Sequence, residues 1–219
     1  MTTNFNMDFT TRLVIKVDDR DWVGSKSSGV ERQLLEREEA ESGRATTIVR
    51  FSPNSEFTPH VHVGGEEFFV LDGVFSDETG DFSAGTYVRN PVGSKHRPHS
   101  TNGATIFVKL GQMDELDQDH VRVDTTKENW LHGPAEGLSV LPLHQFETEN
   151  VALVKWQPGT KFHRHIHAGG EEIFVIDGVF EDEQGRYPKG TWLRNPPGSV
   201  HTPFSTEGCI IFVKTGHLN

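Results

Sequence analysis

His60-Val-His-Val-Gly-Gly-Glu-Glu-Phe-Phe-Val-Leu-Asp-Gly-Val-Phe75 returns 105 residues later as His165-Ile-His-Ala-Gly-Gly-Glu-Glu-Ile-Phe-Val-Ile-Asp-Gly-Val-Phe180. Working outward, residues 48–111 align with residues 153–216 at that offset without a gap, and about 35 of the 64 positions are identical. Arg89-Asn-Pro-Val-Gly-Ser-Lys-His96 answers to Arg194-Asn-Pro-Pro-Gly-Ser-Val-His201. A looser upstream match pairs Trp22 and Gly29-Val30 with Trp130 and Gly137-Leu138 at an offset of 108. The 219 residues are therefore a duplicated unit of roughly 100 residues, which is ordinary domain size. The expected domains are 1–115 and 116–219, with a polar, acidic linker at 112–119 and the second unit starting near Val121.

The unit reads as all-β. Short apolar or β-branched runs at 49–51, 68–71 and 105–110 are bounded by Gly, Pro and Asp. Asp72-Gly73 and Asp177-Gly178 sit between apolar runs and carry a hairpin signal. Thr79-Gly80-Asp81 and Gln184-Gly185-Arg186 read as a second turn. The stretch 31–42, rich in Glu, Arg and Leu, has a helix-like composition. Its counterpart at 138–149 contains Pro142, so both are read as strand or loop. Twenty-two Gly and 11 Pro suit a turn-rich chain, and 15 Phe with 4 Trp supply bulk for a core.

A formal net charge of −11 argues against nucleic-acid binding and against an anionic membrane surface. The single cysteine, Cys209, allows no intrachain disulfide and reads as a small buried residue. The start shows no basic segment followed by an apolar one, and no run approaches the ~18 apolar residues of a membrane span. The expectation is a cytoplasmic protein with no membrane partner.

His60 and His62 lie two apart, so on a strand both imidazoles project from one face. Glu66 shares their parity, and Gly64-Gly65 lets the backbone bend between them. His96 follows a Pro91-Val-Gly93 turn and comes from another strand. Three neutral imidazoles and a carboxylate form a complete ligand set for a divalent ion. His165, His167, Glu171 and His201 repeat every member, and burying such a set unpaired would be costly. His120, His132, His144 and His217 read instead as solvated or satisfied side chains.

Gly159, His165, His167, Glu171 and Gly178 have the spacing of the first cupin motif, and Gly190, Pro196, Gly198 and His201 that of the second. The first repeat departs only at Asn54, which replaces the leading glycine. Ser100 and Ser205 stand where an asparagine is usual. The wider pattern, Trp, Gly-Val, His-x-His-x-x-Gly-Glu-Glu and Arg-Asn-Pro-x-Gly-Ser-x-His, resembles the cupin domain of ChrR-type zinc anti-sigma factors over nearly the whole chain, twice. The resemblance implies two tandem cupin jelly-roll barrels, the double-stranded β-helix, each with one divalent metal ion. Zinc is expected, and iron, manganese or nickel also suit the donors.

In that family a helical zinc domain precedes the cupin domain and sequesters a sigma factor. Here only about a dozen residues without a His/Cys cluster precede the repeat, so direct sequestration is not expected. The leading functional expectation is a regulatory or sensory protein that binds a small molecule. The alternative is a cupin metalloenzyme, a dioxygenase or another enzyme acting on small carbonyl compounds. A third reading gives the metals a purely stabilising role. A homodimer is compatible with cupin edge pairing.

Around the ligand set, Arg89 and Arg194 are candidates to hold Glu67 and Glu172 or an anionic ligand. His99, aligned with Phe204, and His163, aligned with Thr58, are candidate mouth or acid–base residues in one barrel each. Lys109 and Lys214 read as outward-facing charges.

Overall fold

The computed structural model describes residues 4–218. It divides the chain into two units, Met1–Met7 with Arg20–Glu128 and Asp8–Asp19 with Asn129–Asn219. Among the described residues the only helical element is the 3-10 turn Val17–Asp19; the rest is strand and connection. The helix-like stretch is the strand Val30–Arg37 followed by a bend, and its counterpart is the strand Leu138–Phe146. Pro142 is tolerated there beside a register shift between Pro142 and His144, where the ladder needs one donor fewer.

In the first unit the main sheet runs from Val121–Asp124 through Thr86–Asn90, Glu66–Asp77, Ala104–Leu110, Ala45–Phe51 and Val30–Arg37 to Val23–Gly24. The second unit repeats this order from Leu13–Lys16 through Thr191–Asn195, Glu171–Asp182, Cys209–Thr215, Glu149–Trp156 and Leu138–Phe146 to Leu131–His132. Residues 8–19 and 116–128 thus lie across the boundary from where the repeat put them. The strands Thr86–Asn90 and Thr191–Asn195 are buried along their whole length and need a partner on both edges. The linker supplies Val121–Asp124 to the first, and the N-terminal segment supplies Leu13–Lys16 to the second.

Asp72-Gly73 is not a hairpin. Glu66–Asp77 is one continuous strand that pairs with Ala104–Leu110 and then leaves to pair with Gly80–Ser83. Gly73 is the corner: its φ is 72°, and a Cβ there would stand 2.1 Å from the Gly103 carbonyl oxygen. Gly178 repeats this against Gly208. The hairpins lie one step later, where Asp77 faces Gly80 and Asp182 faces Gly185.

Alternate residues of these strands build the interior. Val30, Val49, Phe51, Phe68, Val70, Phe75, Val88, Ile106 and Val108 form the first core, and Leu138, Trp156, Ile173, Val175, Phe180, Leu193 and Ile211 the second. The other face is buried too, and it is charged. Lys109 and Lys214, expected outside, are 1% and 0% exposed. Lys109 donates to Thr46 Oγ1 at 2.9 Å, and Lys214 Nζ lies 3.0 Å from Glu149. A strand buried on both faces defeats the rule that alternation separates core from solvent.

Candidate metal centres

The imidazoles meet because two short strands pair across the barrel mouth. His60 is the cross-strand partner of His96, and His165 of His201. His62 and His167 close each triad. Ring centres in the first lie 4.8, 5.1 and 4.7 Å apart, and in the second 4.6, 4.8 and 5.0 Å. Within each triad the nitrogens fall within 4.8 Å of one another, so either group could hold a metal ion. Glu66 Oε2 is 3.5 Å from both His62 Nε2 and His96 Nε2. Glu171 lies 3.5 Å from His167 Nε2 and 3.7 Å from His201 Nε2.

These distances suit an ion at the centroid, since ligand bonds of about 2.1 Å in a tetrahedron place donors about 3.4 Å apart. His62 Nε2 and His96 Nε2 are buried without any hydrogen-bond partner, an arrangement that a bound cation would relieve. His60 and His165 each direct Nδ1 at the carbonyl two residues earlier, Thr58 and His163, at 2.9 Å. A carbonyl only accepts, so Nδ1 carries the proton and Nε2 is left free for an ion.

Burial, partly offset by Glu66, lowers the pKa of His62. His167 is lowered to about 3 by burial and by its two histidine neighbours. Burial alone would also lower His96, but its hydrogen bond to Asp77 and the charge of Glu66 raise it instead. Burial raises Glu171, whose carboxylate is held by Asn195 and faces His201.

A second layer of residues orients these groups. Asp77 Oδ2 bonds His96 Nδ1 at 3.0 Å, whereas Asp182 Oδ2 stands 3.7 Å from His201 Nδ1, beyond a hydrogen bond. Asn90 donates to Glu66 at 2.9 Å, and Asn195 to Glu171 at 2.8 Å. The asparagines are themselves fixed: Arg122 donates to Asn90 Oδ1 at 2.6 Å, and Arg12 to Asn195 Oδ1 at 2.8 Å. Each guanidinium also packs over an aromatic ring, Phe82 at 5.4 Å and Tyr187 at 5.3 Å.

Sequence reasoning gave none of these six residues a role. Asp77/Asp182 and Asn90/Asn195 recur in register and could have been found that way. Arg12 and Arg122 could not. Leu13 and Val121 occupy equivalent places opposite Arg194 and Arg89, so the arginines reach the same asparagine from different steps.

Arg89 and Arg194 sit on the opposite strand face. Arg89 bonds Glu67 at 3.0 Å and Asp117 at 2.5 Å. Arg194 donates to the Asp8 carbonyl at 2.8 Å and packs over Phe9. His163 is exposed, its ring tilted against Phe162 with centres 4.0 Å apart. His99 is half-buried, with its backbone opposite Glu56 and Ser76. Neither lines the cavities that adjoin the two triads. Cys209 is buried, and burial pushes its thiol up to about 12.

The two centres open into unlike spaces. A cavity of about 590 Å³ reaches His60, His62 and Glu66 in the first unit, whereas about 140 Å³ adjoins His165, Glu171 and His201 in the second.

Residues 10–114 and 118–219 each match the ChrR cupin-like domain family. The chain belongs to that family. It is a tandem cupin, and solved structures share its architecture. A proposed dioxygenase from Nostoc punctiforme is 17% identical, with a TM-score of 0.81 over 95% of this chain and 84% of that one. A proposed glyoxylate-induced protein from Pseudomonas aeruginosa is 14% identical, with a TM-score of 0.77 over 93% and 88%. Lactobacillus farciminis oxalate decarboxylase, solved with formate, is 13% identical, with a TM-score of 0.66 over 99% and 87%. Comparison with curated protein sequences gives no match. No helix among the described residues is long and apolar enough to cross a membrane.

Proposed function

We propose that the protein is a metal-dependent sensory or regulatory bicupin that binds a small ligand in its first barrel and works in the cytoplasm. The observation that carries this reading is the pairing of two equivalent His₃Glu sets with cavities of unlike size, the larger one at the first set. His60, His62, His96 and Glu66 would hold the ion of the first barrel, and His165, His167, His201 and Glu171 that of the second. Four protein donors close a tetrahedral zinc site, which favours zinc and a binding role over turnover. When bound, the ion supplies a positive, Lewis-acidic centre at the cavity floor. Asn90 and Arg122 would keep the Glu66 carboxylate turned inward, and Asp77 would keep the His96 ring aimed at the centre.

A second reading, a dioxygenase acting on small carbonyl compounds, is favoured by the likeness to the Nostoc punctiforme protein and by the size of the first cavity. Elemental analysis of protein purified without a metal column tests the first reading, which expects zinc at two per chain. Iron reconstitution followed by an oxygen electrode tests the second. Oxygen uptake faster than about 1 per second with small diketones, abolished in Glu66→Gln, would replace the sensor with the enzyme.

A further inference from the structure

The two barrels share their metal-facing residues but differ on the wall opposite. Strand register fixes the equivalences. Arg32 faces Val49 as Val140 faces Val154, and Arg37 faces Ala45 as Gln145 faces Asn150. Thr47 faces Val108 as Ala152 faces Val213. Three polar side chains in the first barrel thus stand where the second has Val140, Gln145 and Ala152. Phe51 in turn replaces the larger Trp156, leaving the first cavity wider.

Arg32, Arg37 and Thr47 all line the cavity that reaches His60, His62 and Glu66. They are only 9%, 5% and 1% exposed. Arg32 Nε and Thr47 Oγ1 are buried without a hydrogen-bond partner. Two buried guanidiniums lining one cavity repel each other unless an anion lies near them, and Arg37 Nε donates only to a neutral group, the Ala40 carbonyl, at 3.0 Å. Burial, with the charge of Arg32, pulls Arg37 below its ordinary pKa. The anion in this structure is Glu41, whose carboxylate lies 3.2 and 3.4 Å from the Arg32 fork. Glu41 is exposed, on the bend 38–44 that borders the cavity, while the second barrel has only residues 147–148 in its place.

We infer that the first barrel, and not the second, binds a small organic acid whose carboxylate displaces Glu41 from Arg32 and lies within the field of Arg37. Thr47 Oγ1 donates to the same carboxylate, and the far end of the acid faces the imidazoles. Arginine forks match carboxylates in charge and geometry, and a chamber of this size accommodates a ligand of several carbon atoms. The inference rests on the small-ligand reading above and gives that ligand a chemical class.

Calorimetric titration of zinc-loaded protein with malonate, succinate and glutarate, beside malonamide and succinamide, tests it. The expected result is one acid site per chain and no binding of the amides. Arg32→Val, which installs the residue that the second barrel carries at this register, should weaken the acid at least about tenfold, the loss of a charged hydrogen bond worth about 1.4 kcal/mol. Glu41→Gln, on the exposed bend, should strengthen binding by removing the competing carboxylate, and it keeps the test informative if Arg32→Val folds poorly. Equal binding of acids and amides, two equivalent acid sites, unchanged affinity in both variants, or no binding by about 10 mM would overturn the inference. Zinc content and oxygen uptake, measured separately, decide the sensor reading. An acid bound as described but consumed would end that reading and leave this one standing.

Discussion

Asp77→Asn should weaken metal binding in the first barrel more than Asp182→Asn does in the second. Asp77 Oδ2 lies 3.0 Å from His96 Nδ1, and Thr79 fixes Oδ1 through its amide at 2.7 Å and its hydroxyl at 2.6 Å. The carboxylate is therefore immobile and aimed at the ring. Although burial opposes ionisation, the bonds to His96 and Thr79 lower the Asp77 pKa to about 2, so it is charged wherever the site can bind metal. The charge makes His96 a better donor and locks its rotation. Losing such a partner typically costs ten- to a hundredfold in metal affinity, or about 1.4–2.7 kcal/mol. In the second barrel the separation is 3.7 Å, beyond a hydrogen bond. Asp182 is taken up instead by Tyr187 at 2.6 Å and Arg12 at 2.8 Å, so Asp182→Asn should cost less than about tenfold. Competition with a chromophoric zinc chelator measures each site in a background where the other triad has been replaced by alanine. Equal losses in the two variants, or no loss in Asp77→Asn, would refute the claim that this aspartate supports its histidine through a direct bond.

His60→Ala with His62→Ala should remove one metal ion per chain and leave the second, read by elemental analysis; retention of both would exclude the first triad. Chelation should lower the melting temperature, since ion present at about 1,000 times its dissociation constant adds about 4 kcal/mol to stability; identical melting of apo and holo protein would contradict this. In apo protein the His167 pKa of about 3 means that the unfolded chain takes up a proton which the folded chain refuses. This term is therefore absent above about pH 6.5 and removes up to about 1.4 kcal/mol per pH unit as pH falls from there towards 3. His167→Gln should flatten the acid limb of the melting-temperature profile, and an unchanged limb would assign that sensitivity elsewhere. Glu67→Ala should destabilise the fold by about 1.5–3 kcal/mol in urea titration, because it removes one of the two carboxylates paired with the 1%-exposed Arg89; a change under about 1 kcal/mol would show that Asp117 alone suffices.

The triads were legible because strand parity and a duplicated register constrain histidines strongly: His60 and His62 share a face, and the recurrence of His96 as His201 marks the third imidazole. Asp72-Gly73 was misread because a hairpin and a corner within one strand need the same left-handed glycine. Local sequence does not say whether the chain then turns back. Lys109 and Lys214 were misread because burial of a strand's second face depends on what packs there. The partners of Thr86–Asn90 and Thr191–Asn195 were invisible for a related reason. They come from segments outside the aligned 48–111 and 153–216, and pairing of distant edges leaves no periodicity in either partner.

The two copies share their candidate metal centres and differ in the space around them. The ligands, the aspartate and the asparagine are the same residues in both. The arginine that fixes the asparagine is kept in type although its position changed, from the step before the strand Leu13–Lys16 to the second residue of Val121–Asp124. Drift alone would not place a guanidinium on the same amide oxygen and over the same aromatic position from two different registers. Orienting Glu66 and Glu171 is therefore a requirement common to both centres. Arg32, Thr47 and Phe51 obey no such rule: Val140 and Trp156 line the second chamber in place of Arg32 and Phe51, and Ala152 takes the register position of Thr47. Those differences leave the candidate ligands intact and alter only the size and charge of the chamber. A duplicated centre that keeps its candidate ligands while one copy narrows its chamber from about 590 to about 140 Å³ fits two ions with only one roomy place for a ligand.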